Sequence, residues 1–334
     1  MTASDRFGIR ALEPGDRGAC LELASLALGS GSVPRSEAFW RWKHEEGPFG
    51  PSTGWVAEAS GRIVGLRIFL RWRFGTTSGP VAAVRAVDTM THPEWRRRGV
   101  FSTLTRTALS ELASDGVAFI FNTPNKFSGA GYESLGWQRC ATPPMLVLPR
   151  RPLGMVMRAL AKQAPEPARL DAWAPAEELL ESPYLSSLLE SRTDVAGQRT
   201  HRSLDFLRWR YAEIPGIEYR ARTACADDGL AAIVARSRIR RSRREVLLAE
   251  ILLSGPGGGR LAGSLIDELR LTTADYFLAT AHRRSEEWSV LRRAGFRKVP
   301  WGPRLVARGL AAETPTDVLS RAEWHLSAGD LEVF

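Results

Sequence analysis

Cysteine is scarce: only Cys20, Cys140 and Cys225 occur in 334 residues, far apart in the chain. That count and spacing suit neither a disulfide framework nor a metal ligand set, so all three read as buried thiols. No run of about 18 apolar residues occurs, which excludes a membrane-spanning helix. The first residues lack the basic-then-apolar pattern of a secretory signal, so the expected compartment is the cytoplasm. Lysine is also rare, and nearly all of the 46 basic residues are arginine, against 37 acidic ones, for a net charge of +9. Such a balance favours an anionic partner: a nucleotide cofactor, nucleic acid, an acidic carrier protein or phospholipid. An arginine-rich composition equally follows from a GC-rich genome, so charge alone selects none of these.

What is present is globular in kind. The chain is 44% apolar and 25% charged, and its length suits two domains, each with its own core. Phe7–Leu12 alternates as a strand, and Pro14-Gly15-Asp16 breaks it before a helix from Arg17. A tryptophan-rich helix over Arg35–His44 stops near Gly47-Pro48. Strands follow at Trp55–Ala59, Arg62–Phe74 and Val81–Met90, the first two joined by a Ser60-Gly61 turn. A helix over Phe101–Ser114 carries Leu104, Ala108, Leu109 and Leu112 on one face. Val117–Phe121, wholly apolar, reads as a strand buried on both sides. A brief helix ending at Leu135-Gly136-Trp137 and a strand near Met145–Leu148 complete this half. Gln163–Pro175 reads as a linker, and Ala176–Glu190 as a helix.

The chain then repeats itself. Arg35-Ser-x-x-Phe39-x-Arg41-Trp42-Lys43-His44-x-Glu46-x-Pro48 is echoed by Arg202-Ser-x-x-Phe206-x-Arg208-Trp209-Arg210-Tyr211-x-Glu213-x-Pro215. Strands around Tyr219–Thr223, Leu230–Arg238 and Glu245–Leu253 follow. Then come a glycine loop (Ser254–Gly259), a helix at Leu261–Leu269, a strand at Tyr276–Ala281 and the ending Ala294-Gly295-Phe296. Two copies of one fold are expected.

Function is concentrated in Val87–Leu104. An apolar strand runs through a basic turn, Arg96-Arg-Arg-Gly99, into a helix, the order that aims helix-start N–H groups at an anion. Helix dipole and arginine charge would act in the same direction there. Taken alone, the turn reads equally as a solvated cap on a sheet. The order of elements decides between these readings. With Arg96-Arg-Arg-Gly99-Val-Phe101 after His92-Pro93-Glu94, and Tyr132-Glu-Ser-Leu-Gly136-Trp137 downstream, residues 7–148 resemble the GNAT superfamily of acyl-CoA-dependent N-acyltransferases. Phe101 departs from the small residue usual at its position.

The resemblance implies an α/β chain of mixed sheets made of two tandem GNAT-like domains. The first, 1–150, keeps the acyl-CoA motif; 151–200 is linker and helix; 201–310 is a degenerate copy; 311–334 is a tail. It implies acetyl-CoA or another acyl-CoA as donor. Arg96, Arg97, Arg98, Gly99, Val100, Phe101 and Ser102 would cradle its phosphates, and Thr89, Met90 and Thr91 would pair with the pantetheine amides. Asn122 and Asn125 either hold cofactor or serve as turn residues. Tyr132 stands where the family keeps the acid for the departing thiolate. Asp88 is the nearest candidate base, or else an ion-pair partner of Arg85 or Arg96. Trp40, His44 and Glu46 would border the acceptor, a small-molecule amine such as an amino sugar or antibiotic.

Aligning Gly136-Trp137 with Gly295-Phe296, an offset of 159 residues, carries Tyr132 to Leu291 and the arginine turn to Gly255-Pro256-Gly257, so the second copy is expected to be inactive. Arg236, Arg238, Arg240, Arg241, Arg243 and Arg244 form a solvated face or a dock for an acidic carrier protein or nucleic acid. Without interleaved aromatics, single-strand binding is disfavoured. The tail has strand character, and the terminal carboxylate of Phe334 is a second candidate base, on the analogy of two-copy aminoglycoside acetyltransferases. Alternatives to acyl transfer from CoA are transfer from an aminoacyl-tRNA or an acyl carrier protein, or a non-catalytic acyl-CoA binding module.

Overall fold

Strand alternation and helical stripes assemble into two mixed sheets in the computed structural model. It describes residues 6–28, 36–76, 79–125, 128–151, 165–190, 197–310, 314, 319 and 324–332. The first half runs β1 (Gly8–Ala11), α1 (Arg17–Leu28), α2 (Glu37–His44), β2 (Thr53–Ala59), β3 (Arg62–Thr76) and β4 (Gly79–Thr91). It continues through α3 (Val100–Ser114), β5 (Phe119–Asn122), α4 (Gly129–Ser134), β6 (Gln138–Ala141) and β7 (Met145–Pro149). A connecting stretch holds β8 (Ala174–Pro175), α5 (Ala176–Leu180), α6 (Leu185–Glu190) and β9 (Gln198–Thr200). The single helix expected at 176–190 is therefore two short ones.

The second half repeats the order. It comprises α7 (Leu204–Leu207, prolonged by a π turn over Arg208–Ala212), β10 (Arg220–Ala226), β11 (Gly229–Arg240), β12 (Arg243–Ser254) and α8 (Gly258–Leu269). Then follow β13 (Tyr276–Thr280), α9 (Glu286–Arg293), β14 (Arg297–Lys298) and β15 (Leu305–Gly309). The tail is a two-residue strand, β16 (Trp324–His325), and a turn of helix, α10 (Ala328–Leu331). Strand character thus holds for two residues. Ser327 and Asp330 then form a reciprocal capping box that starts the helix.

The sheets do not divide where the halves divide. The first has the order β1-β2-β3-β4-β5-β15-β6, with β9 on the far end of β3 and β16 on β9; the second is β14-β7-β13-β12-β11-β10-β8. Each half gives its last strand to the other. β15 pairs antiparallel with β5 and β6, and β7 pairs antiparallel with β13 and β14. A cut at residue 150 therefore separates both sheets from one of their inner strands.

The repeated helices α2 and α7 meet each other. Ser36 and Ser203 cap them identically, accepting from Phe39 N and Phe206 N. Trp42 and Trp209 stack at 4.8 Å and 12°. Each indole Nε1 donates to the other's backbone oxygen, at 2.6 and 2.7 Å. One apolar cluster including Trp42, Trp72, Phe206, Trp209 and Trp324 runs between the halves. Separate clusters lie under α3 and α4 and under α8 and α9. Cys20 and Cys140 are buried as expected, but Cys225 is exposed. It lies near the end of β10, where the strand's residues are largely open to solvent.

Candidate active site

β4 and β5 run parallel but pair only where Ala83–Arg85 faces Phe119–Phe121. Beyond that point β4 continues to Thr91, paired on its other side with β3. Among the described residues no strand pairs with its other edge from Ala86 onward, so the backbone groups there are open to another partner. A cavity of about 490 Å³ occupies the split. Its lining includes Asp88, Thr89, Met90, Thr91, Arg96, Phe101, Asn122, Asn125 and Tyr132. Nine residues singled out from the sequence are thus brought to one space by the parting of two strands.

A bulge shapes its mouth. Arg67 pairs with Thr89 and Ile68 with Val87, so Asp88 is an extra residue in β4, at φ +31°. A bulge re-aims a side chain at the expense of one ladder bond. Asp88 is turned towards α2, where its Oδ2 accepts from Lys43 Nζ at 2.7 Å and His44 Nε2 at 2.8 Å. The partners considered from sequence, Arg85 and Arg96, are not the ones used. Arg85 Nη1 donates to the backbone oxygen of Asp330, and Arg96 Nη2 to Ala27 O at 3.1 Å. Burial alone would raise the Asp88 carboxyl, but Lys43 and His44 outweigh it and hold it well below the usual carboxylate range. Burial pushes His44 below its ordinary value despite Asp88. The imidazole is therefore neutral near pH 7. Nε2 carries the proton towards Asp88, and Nδ1 accepts from Ser52 Oγ at 3.1 Å.

The arginine turn precedes α3 as expected. Arg97 and Gly99 both take positive φ, +62° and +82°, and glycine meets this demand at no steric cost. The first intrahelical donor is Thr103 N, to Gly99 O at 2.9 Å. The amides of Val100, Phe101 and Ser102 thus lie ahead of it as helix-start groups. Val100 is buried and anchors α3 against β3. Arg96, Arg97 and Arg98 are exposed, and Arg98 lies over the Trp95 ring at 5.1 Å.

Tyr132 is buried on α4, between Phe101 and Trp137. Its oxygen accepts from Arg67 Nη1 at 2.7 Å, a partner that the sequence did not announce. Asn122 is buried, with Oδ1 lacking a protein partner. Asn125 Oδ1 accepts from Ser128 N at 3.1 Å, so this residue starts α4 as well as lining the cavity. Trp40 is buried against His44, and Glu46 is exposed. Neither is among the residues lining the cavity.

The matching split in the second sheet is narrowed to a cavity of about 30 Å³, with His325, Leu326 and Ser327 of the tail in its lining. β12 and β13 pair only at Glu245–Leu247 with Tyr276–Leu278, and α10 packs on β12. Arg202 bridges Glu250 and Asp330 at 2.7 and 2.8 Å, and Arg210 Nη2 donates to Gly329 O at 2.8 Å. At the start of α8, Gly257 N donates to Asp228 O and Arg260 Nη2 to Asp228 Oδ1, each at 2.8 Å. A side-chain carboxylate therefore stands near this helix start. The arginine hairpin is partly spent internally: Arg236 and Arg238 hold Glu332 at 3.1 and 2.7 Å. Arg241 and Arg243 remain exposed. Phe334 lies outside the described residues.

Residues 8–140 match the acetyltransferase (GNAT) domain model. No curated protein sequence matches the chain. Among solved structures, a GCN5-related N-acetyltransferase from Anabaena variabilis is similar at TM-score 0.67 and 10% identity, over 92% of this chain and 73% of that one. A probable N-acyltransferase from Enterococcus faecalis gives 0.62 and 11%, over 92% and 74%. A GCN5-related N-acetyltransferase from Kribbella flavida gives 0.60 and 15%, over 92% and 73%. At such identities the likeness is one of fold. Among the described residues no helix is long and apolar enough to cross a membrane.

Proposed function

We propose that the protein, whose residues 8–140 match the acetyltransferase (GNAT) domain model and whose fold is similar to that of GCN5-related N-acetyltransferases, moves an acetyl or other short acyl group from coenzyme A to a primary amine of a small molecule. Attack is direct, with no covalent acyl-enzyme. The observation that carries this is the cavity at the split, which gathers an open strand edge, a helix start flanked by arginines and a buried tyrosine oxygen.

The residues present suit an acyl-CoA. The open edge of β4 at Thr89–Thr91 offers backbone partners for amides, and the unpaired Asn122 Oδ1 offers an acceptor. The amides before Thr103, with Arg96 beside them, suit phosphate. When bound, the donor supplies an activated carbonyl carbon and a thiolate leaving group. The β4 backbone N–H groups polarise the carbonyl. Tyr132 Oη holds the proton for the sulfur. Asp88, kept ionised by Lys43 and His44, has low proton affinity. It orients the incoming amine and passes its proton to solvent rather than storing it. His44 positions Asp88, with Trp40 packed behind. Transfer takes place in the first half, because the second split is narrowed to about 30 Å³ against about 490 Å³ in the first.

Calorimetry with acetyl-CoA, paired with thiol release across an amine panel, tests this. The expected result is one donor site per chain, abolished by Arg96→Glu with Gly99→Asp. Tyr132→Phe should lower kcat by about 10²-fold while leaving donor affinity unchanged. No heat with acetyl-CoA, or no thiol release with any amine, would overturn the proposal.

A further inference from the structure

We propose that Arg67 is a positioning residue for the proton donor, fixing Tyr132 Oη and tying it across the split to Thr89. This rests on the acyl-transfer reading of the cavity. Arg67 lies on β3 behind the cavity and is fully buried. A buried guanidinium is normally matched by a carboxylate, because burying an unpaired charge is costly. Among the described residues no carboxylate pairs with Arg67, and its Nε and Nη2 have no hydrogen-bond partner.

Aromatic faces surround it instead. The guanidinium lies 4.5 Å from the Phe69 ring, 5.1 Å from Tyr132 and 5.5 Å from Phe101, which offsets part of the desolvation. Among the described residues its side-chain hydrogen bonds come from one nitrogen: Nη1 donates to Tyr132 Oη at 2.7 Å and to Thr89 Oγ1. A leucine would fill such a place at lower cost to stability. What the arginine adds is a fixed link between α4, which carries the acid, and β4, which carries the polarising backbone.

The chemistry of that link follows from the phenol. A tyrosine oxygen that accepts from Arg67 has one hydrogen of its own left to direct, and Tyr132 borders the cavity. As the amine nitrogen bonds to the acyl carbon, the C–S electron pair goes to sulfur, which takes the proton from Tyr132 Oη. The amine's surplus proton leaves to water, and water returns one to Tyr132. During the step, negative charge grows on Oη beside a cation already in place.

A double-mutant cycle decides the matter. Arg67→Met should lower kcat about 10- to 100-fold, with acetyl-CoA affinity by calorimetry within about 2-fold of wild type. In a Tyr132→Phe background the same change should add less than about 2-fold, and Arg67→Lys should recover part of kcat. If Arg67→Met fails to fold, Arg67→Lys takes its place in the cycle. Equal losses in both backgrounds, or an unchanged kcat, would overturn the assignment. A wild-type protein inactive on every amine overturns the acyl-transfer reading and this assignment with it, whereas additive losses in an active enzyme overturn this assignment alone.

Discussion

Asp88 and His44 make the fold sensitive to acid for two different reasons. Asp88 has its folded-state value below the ordinary carboxylate range, so its contribution is complete above that range and is lost as pH falls from that range through the lower folded value. His44 is buried neutral, with its folded value below 6.5. Between 6.5 and that lower value the unfolded chain binds a proton that the folded chain does not, so stability again falls as pH falls. Melting temperature should therefore drop in two stages below neutrality. His44→Gln should shrink the drop between pH 7 and 5, leaving the part due to His201, which burial also lowers. Identical melting profiles for wild type and His44→Gln over pH 4–8 would contradict this. At this scale the sequence announced Asp88, Tyr132 and the arginine turn, because their spacing along the chain carries the motif. It could not announce Arg67. One arginine among Arg62, Arg67, Arg71 and Arg73 has nothing local to distinguish it, and only the bulge that sets it opposite Thr89 gives it a role. Lys43 was hidden for the same reason, since its partner lies across the sheet.

The placing of α3 depends on what faces it. Gly65 on β3 has no room for a β-carbon, with Val100 and Leu104 of α3 pressed against it. Gly65→Ala should cost about 1–3 kcal/mol through overpacking. On the proposed function it should also weaken acetyl-CoA binding several-fold, because the start of α3 moves away from β4. Unchanged melting temperature and affinity in the variant would refute the link between packing and site. The helix itself was legible. Its apolar stripe of Leu104, Ala108, Leu109 and Leu112 fixed its extent to within one residue of the observed start. The repeated tryptophan helix was legible as a repeat but not in its use. Trp42 and Trp209 spend their rings and indole N–H groups on one another rather than on a ligand, and a repeat in sequence does not say that its copies touch.

At the level of the whole molecule, two tandem halves were legible and their reciprocal strand exchange was not. Strand pairing is non-local: β7 and β15 carry the same alternation whichever sheet receives them. Neither half should stand alone. A fragment of residues 1–150 lacks β15 and leaves the apolar edge of β5 open, so it should be insoluble or unfolded by circular dichroism. Co-expression with residues 151–334 should restore a soluble pair. A soluble, cooperatively melting 1–150 fragment would show that the exchange is dispensable. The same exchange sets a clock on the protein's synthesis. β15 leaves the ribosome roughly 160 residues after β7, which is about 8–30 s at ~5–20 residues per second. Throughout that interval the half bearing the cavity at the split is incomplete, with Phe119, Ile120 and Phe121 of β5 lacking their antiparallel partner. The sheet that borders the cavity is therefore complete only with the last tenth of the chain, and the second half is the one that admits the first to its native state.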